Sequence, residues 1–304
     1  MQPYSFVVVF AICAAWLVLP ACAFQQSTTF RRTINRSVGK LRSFDEELNK
    51  PQPGEWLAGH PEKGQTYSQY LKIRPNVLTR QRHTLYIQPI GELTPTELKI
   101  VEATNEYLGT YFNCPVKMLD AVSDSDIPAT ARREFPSEGD EQFLTSYILE
   151  KVLAPKLPDD AFATLAFTNK DLWPGDGWNF VFGYAALRDR VGVWSLHRFG
   201  DPTADDDAYK RCLKRTIKLA THETGHMFSM SHCTNARCNM QGSNSLTESD
   251  TQPLHLCSQC QAKTAYATGA DPVERFKKLK ALCEKHGFED EVKHYESVIE
   301  RLEK

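Results

Sequence analysis

The chain reads as an α+β protein: a mixed, twisted sheet that leads into a long helix, followed by a C-terminal subdomain drawn together by cysteines. Three observations predict this. Apolar alternation and helical periodicity succeed each other in the order β-α-β-α-β-β-β-α. The last helix of that series ends in HETGH, residues 222–226. Two cysteine pairs follow it, Cys233 with Cys238 and Cys257 with Cys260.

Each element has its own signal. Residues 1–23 hold an apolar run from Phe6 to Leu19 and end on Ala21-Cys22-Ala23, which reads as a secretory signal peptide with the mature chain starting at Phe24. The run is too short for a membrane span. Its leading residues lack Lys and Arg, and Leu19-Pro20-Ala21-Cys22 also resembles a bacterial lipobox, which would place a lipid anchor on Cys22. Residues 24–50 are polar without clean periodicity and are expected to be a flexible linker. Asn35-Arg36-Ser37 within them is a glycosylation pattern.

A catalytic domain is expected over residues 51–265. Thr84 to Ile90 alternates as a strand does. Thr94-Pro95-Thr96-Glu97 is a helix start, with an N-cap, proline at the first position and glutamate at the third. Its helix carries Leu98, Val101, Leu108 and Phe112 as an apolar stripe. A strand is expected from Val116 to Val122, a helix from Gln142 to Leu153 and a strand from Phe162 to Thr168. Asn179 to Leu187 and Val191 to Leu196 read as a hairpin about Arg188-Asp189-Arg190, the first of them a candidate sheet edge that pairs with an extended substrate. A long helix from about Asp207 reaches His222 and His226. Residues 266–304 are expected to form a helical hairpin, opened by Asp271-Pro272-Val273-Glu274 and broken at Gly287.

The chemistry lies at the end of the long helix. His222 and His226, four residues apart, share one helix face and can bind one Zn²⁺. Glu223 can reach a water held by that metal, take its proton during attack on a carbonyl and pass it to the leaving amine. His232 cannot join them on an unbroken helix, so the helix must stop near Phe228 and the chain double back. Cys233, Cys238, Cys257 and Cys260 have the spacing of a closed tetrahedral zinc site, which the spacing favours over a pair of disulfides. Cys114, Cys212 and Cys283 read as small apolar side chains, and His197 as no ligand.

HETGH, then His232 and Cys233, Cys238-Asn239-Met240 and the closing Cys257-Ser258-Gln259-Cys260 together resemble the archaemetzincin family of metzincin zinc proteases. The chain departs from that pattern only at Ser229, where the pattern has the glycine that makes the reversal. Likeness extends upstream through PGEWL (53–57), LYIQPIG (85–91), WNFVFGYAAL (178–187) and RVGVWS (190–195). The resemblance implies a metzincin-like minimal catalytic domain with Met240 beneath the metal. It also implies a zinc-dependent peptidase acting on peptide or protein substrates.

The expectation is therefore two Zn²⁺ per chain, a catalytic ion on His222, His226 and His232 with Glu223 as base, and a structural ion on the four cysteines. A zinc-stabilised peptide-binding protein without turnover is the alternative. A formal charge of −2 gives no reason to expect nucleic acid as a partner. The expected location is secreted or periplasmic, or lipid-anchored if Cys22 is modified.

Overall fold

The computed structural model describes residues 27–135 and 139–304, so the expected signal peptide and Cys22 lie outside the described residues. Eight strands follow in chain order: β1 (Thr84–Ile90), β2 (Val116–Met118), β3 (Arg132–Glu134), β4 (Glu141–Leu144), β5 (Ala161–Thr168), β6 (Asp171–Trp173), β7 (Gly183–Ala186) and β8 (Val191–Ser195). The main sheet has the order β2-β1-β5-β8-β7. Its first four strands are parallel, and only β7 runs antiparallel, to β8. A smaller sheet, β3-β4-β6, flanks it.

β1, β5 and β8 are buried along their whole length, as strands covered on both faces must be. The main helices are α1 (Thr28–Leu41), α2 (Tyr67–Lys72), α3 (Pro95–Tyr111), α4 (Asp206–Met227), α5 (Leu246–Thr251), α6 (Ser258–Thr268), α7 (Pro272–His286) and α8 (Glu289–Glu303). The larger core holds residues of α3, α4, β1, β5 and the C-terminal helices. The smaller core sets Ile148, Leu149, Val152 and Leu153 against Ile90, Ala166 and Val193.

The two helix starts read from the sequence form as expected. Thr94 and Glu97 make a reciprocal capping box around Pro95, and Asp271 caps α7 through the Glu274 N–H. Gly287 closes α7 at φ 68°, a conformation glycine adopts without steric cost. The hairpin between β7 and β8 also forms, but its first strand, expected from Asn179 to Leu187, is confined to Gly183–Ala186, and Arg190 stands in the turn at φ 60°.

Three expectations are corrected. Of the expected flexible linker over residues 24–50, the described part is ordered instead: Ser27 caps α1, which buries Phe30, Ile34 and Leu41 against α6 and α8. With Val38, these residues form one stripe at helical spacing on an otherwise basic helix. The stripe is narrow, and its partners lie at the far end of the chain. Gln142 and Phe143 belong to strand β4 rather than a helix, because the buried Gln142 amide donates to Asp171 Oδ2 at 2.6 Å and its oxygen accepts from Arg133. The strand expected to Val122 ends at Met118, with one isolated bridge from Val122 to Ile90.

Candidate metal centre

Asp205 caps α4 by accepting the Ala208 N–H at 2.7 Å, and the helix runs without a break to Met227. His222 and His226 therefore leave the same face one turn apart. Their Nε2 atoms are 3.0 Å apart. The far nitrogens decide what this contact means. His222 Nδ1 lies 2.7 Å from the Asn239 carbonyl, and His226 Nδ1 lies 2.6 Å from the Met230 carbonyl. A carbonyl only accepts, so both Nδ1 atoms carry the proton and both Nε2 atoms present bare lone pairs. Burial, and for His222 the neighbouring imidazoles, pushes the pKa of both rings down, which keeps them neutral.

α4 ends at Phe228, and the reversal is made by Ser229 at φ 67°. A serine there carries steric strain of about 1–2 kcal/mol. The segment from residue 62 to 76 braces the turn. Tyr70 donates its hydroxyl to the Phe228 carbonyl at 2.7 Å. Asn76 donates its amide to the Met227 carbonyl at 2.9 Å and its backbone N–H to Ser229 Oγ at 3.1 Å. Gln65 spans the Ser229 carbonyl and the Ser231 N–H, both at 3.3 Å. The chain leaves this turn with His232 facing the other two, its ring centroid 5.3 Å from His222 and 4.9 Å from His226. One nitrogen of each ring falls within 4.8 Å of the others.

Met240 lies under the helix. A Cβ on Gly225 would meet Met240 Sδ at 2.6 Å, so the thioether fills the space that any side chain at 225 would need. The Met240 carbonyl accepts the Cys233 N–H at 2.6 Å, tying the returning segment to the turn.

Cys233, Cys238, Cys257 and Cys260 are buried, with their sulfurs within 4.8 Å of one another. Cys233 and Cys257 Sγ are 3.6 Å apart, and no disulfide forms among the described residues. Zn–S bonds of about 2.3 Å in a tetrahedron separate sulfurs by about 3.8 Å, so the cage fits zinc. The S–H groups of the other three cysteines hold the Cys233 sulfur in its thiolate form, its pKa driven far down. Lys263, fully buried, brings its ammonium to 3.8 Å from Cys260 Sγ. A buried cation against sulfur matches an anionic cluster. Asp45 adds an outer tie, accepting the Ser258 N–H at 2.7 Å and its hydroxyl at 2.6 Å at the start of α6. Asp45 lies in the stretch expected to be linker.

His222, Glu223, His226 and His232 line a cleft with about 520 Å³ of free space. Phe180, Phe182, Phe199, Leu219 and Leu246 supply apolar lining, and Trp56 and Trp178 also face it. β7 forms the sheet edge here, and its Gly183 lines the cleft. Burial pushes the Glu223 carboxyl up to about 7, and His232 partly offsets this. His197 is elsewhere, 3.0 Å from the Asp140 carboxylate. Burial raises the thiols of Cys114 and Cys283 to about 12 and of Cys212 to about 11, so all three stay protonated. Glu62, Gln65, Tyr70 and Asn76 were not legible as site residues, since no local motif marks them and the nearby PGEWL likeness was the one available pointer; Asn239 lies inside the quoted Cys238-Asn239-Met240 pattern, which gave it no role.

Three converging imidazoles, an adjacent carboxyl and a free sheet edge along an apolar cleft define a metal-dependent peptidase. Residues 142–265 match peptidase family M54. The chain is 35% identical over 281 residues to archaemetzincin-2 of Homo sapiens, covering 82% of this chain and 77% of that protein. It is 33% identical over 187 residues to an archaemetzincin of Thermococcus kodakarensis, covering 59% of this chain and 94% of the relative. A crystal structure of archaemetzincin from Archaeoglobus fulgidus, 30% identical, aligns over 59% of this chain and 99% of its own with a TM-score of 0.46. The chain belongs to the archaemetzincin family, peptidase family M54, and is a zinc-dependent metallopeptidase.

Proposed function

We propose that this peptidase holds a catalytic zinc ion on His222, His226 and His232, uses Glu223 as general base and acid, and carries a second, structural zinc ion on Cys233, Cys238, Cys257 and Cys260. The carrying observation is the pair of bare Nε2 atoms 3.0 Å apart. Two lone pairs that close, with no proton to share, repel unless a cation lies between them. When bound there, zinc would supply Lewis acidity and bring the pKa of water at the site to about 7. Glu223 takes the proton from water as its oxygen bonds to the peptide carbonyl, then delivers it to the amine as the C–N bond breaks. Burial alone pushes this carboxyl up to about 7, and the charge of a bound zinc ion would draw it back down, toward the ionised form that accepts the proton.

An extended peptide would add to the free edge of β7 as a further strand. Phe180, Phe182 and Leu219 in the cleft lining would then offer an apolar surface to a substrate side chain. Export remains part of the proposal: cleavage after Ala23 leaves Ser27 in place to cap α1. N-terminal sequencing of the cell-produced protein tests it, with Phe24 expected, or a lipid-modified Cys22 under the anchored alternative.

The test of activity is a peptide library digested by the wild type and by Glu223→Gln at equal zinc content, read by mass spectrometry. Loss of a general base is expected to cut turnover by about 100-fold or more. Cleavage that persists in the variant removes Glu223 from this role. No cleavage by either protein turns the reading toward a peptide-binding protein without turnover.

A further inference from the structure

The three histidines are not held alike. His222 and His226 ride a rigid helix and give their Nδ1 protons to neutral backbone carbonyls. His232 lies beyond the helix in irregular chain, where no hydrogen-bonded ladder fixes its ring. Its Nδ1 lies 2.9 and 3.0 Å from the two oxygens of Glu62, a residue 170 positions upstream. A carboxylate only accepts, so Nδ1 donates and Nε2 is the nitrogen left to bind a metal.

We propose that Glu62 is the positioning residue of the third zinc ligand, setting the tautomer and orientation of His232 and strengthening it as a donor through its charge. The inference rests on the reading that the three histidines hold metal. Glu62 is itself placed. Trp56 donates its indole N–H to Glu62 Oε1 at 3.1 Å and packs edge-on against His232 with ring centroids 5.2 Å apart. The indole lies so close over Gly242 that a Cβ there would come within 2.4 Å of it. The Trp56 backbone N–H is anchored in turn on the Glu248 carboxylate at 3.0 and 3.2 Å. Glu62 thus belongs to a strap, residues 56–62, fixed at both ends of the contact.

A charged acceptor behind a metal-binding imidazole raises its basicity and fixes its direction, and removing such a partner weakens metal binding by about 10–100-fold. Glu62 is not among the residues that line the cleft; its side-chain contacts are with His232 and Trp56, although its charge is also felt at His226.

The test titrates the full chain, freed by mild chelation of the ion on the histidines only, with Co²⁺ and with Zn²⁺ in competition with a chromophoric chelator. Thiolate-bound cobalt has an intense sulfur-to-metal charge-transfer band that imidazole-bound cobalt lacks, so the two sites are read separately. Wild type, E62Q, E62A and, as the reference for a missing ligand, H232A are compared. Affinity at the histidine site is expected to fall in the order wild type, E62Q, E62A, with E62A about 10–100-fold below wild type and no thiolate band appearing. A wild type that binds only through thiolates ends the three-histidine reading. A wild type that fills the histidine site, with both Glu62 variants matching it within about twofold, overturns the role of Glu62 alone. Should E62A show a thiolate band, E62Q decides, and wild-type affinity in E62Q overturns the proposal.

Discussion

Ser229 occupies a left-handed backbone position that the family pattern gives to glycine, and its own hydroxyl helps to hold it there. Oγ accepts the Asn76 N–H at 3.1 Å, so the side chain that causes strain also supplies a bond. The strain of about 1–2 kcal/mol and a hydrogen bond worth about 1 kcal/mol nearly cancel. Ser229→Gly is therefore expected to change stability by less than about 1 kcal/mol. Ser229→Ala keeps the strain, loses the bond and is expected to cost about 1 kcal/mol. Urea denaturation of the three proteins checks this, and an alanine variant as stable as wild type would remove the Asn76 bond from the account. The seven candidate ligands and Glu223 were readable because spacing along a helix or between cysteines encodes their convergence. Glu62 and Asn76 were not, because nothing within 150 residues of them in the chain hints at a turn at 229.

At the scale of elements, the strands and helices with strong periodicity or a capping pair were legible: β1, β5, β8, α3, α4 and α7. β4 and α1 were not, for different reasons. β4 exists because Gln142 finds buried polar partners on β3 and β6, a tertiary fact. α1 has only a thin apolar stripe, and its partners are α6 and α8. The C-terminal pair carries a titratable lock of its own. Glu291 on α8 accepts the Leu254 N–H at 2.7 Å and His255 Nδ1 at 2.8 Å, and His294 stacks on His255 at 3.5 Å. Burial alone would raise the Glu291 pKa, yet these donors bring it down to about 2. A carboxylate in an unfolded chain titrates near 4.3, so its folded pKa is depressed. The stability it contributes is fully present above about 4.5 and is lost as pH falls toward 2, on the order of 3 kcal/mol in all. The stability gap between wild type and Glu291→Gln is expected to narrow over that window in urea titrations at pH 6, 4 and 3. A constant gap would show that the carboxylate charge is not the stabilising element.

At the scale of the whole molecule, the two candidate metal positions differ in how the fold would depend on them. The cysteines lie inside the larger core, whereas the histidines are half-buried on an open cleft. Mild chelation is expected to remove one zinc equivalent and abolish cleavage with the far-UV circular dichroism unchanged. Release of the second is expected only with loss of helix signal, because binding energy at a buried thiolate site is folding energy. Elemental analysis alongside the spectra checks it, and both ions leaving together without unfolding would contradict it. No described helix is long and apolar enough to cross a membrane. The order of events during synthesis follows from where α1 docks. Residues 28–41 pack on residues 258–268 and 289–303, and translation at about 5–20 residues per second separates their emergence by on the order of 10–50 s. The first of the described helices to be made is thus among the last to find its seat. Until the ribosome has finished, it is an unpartnered apolar stripe that some other surface has to shield.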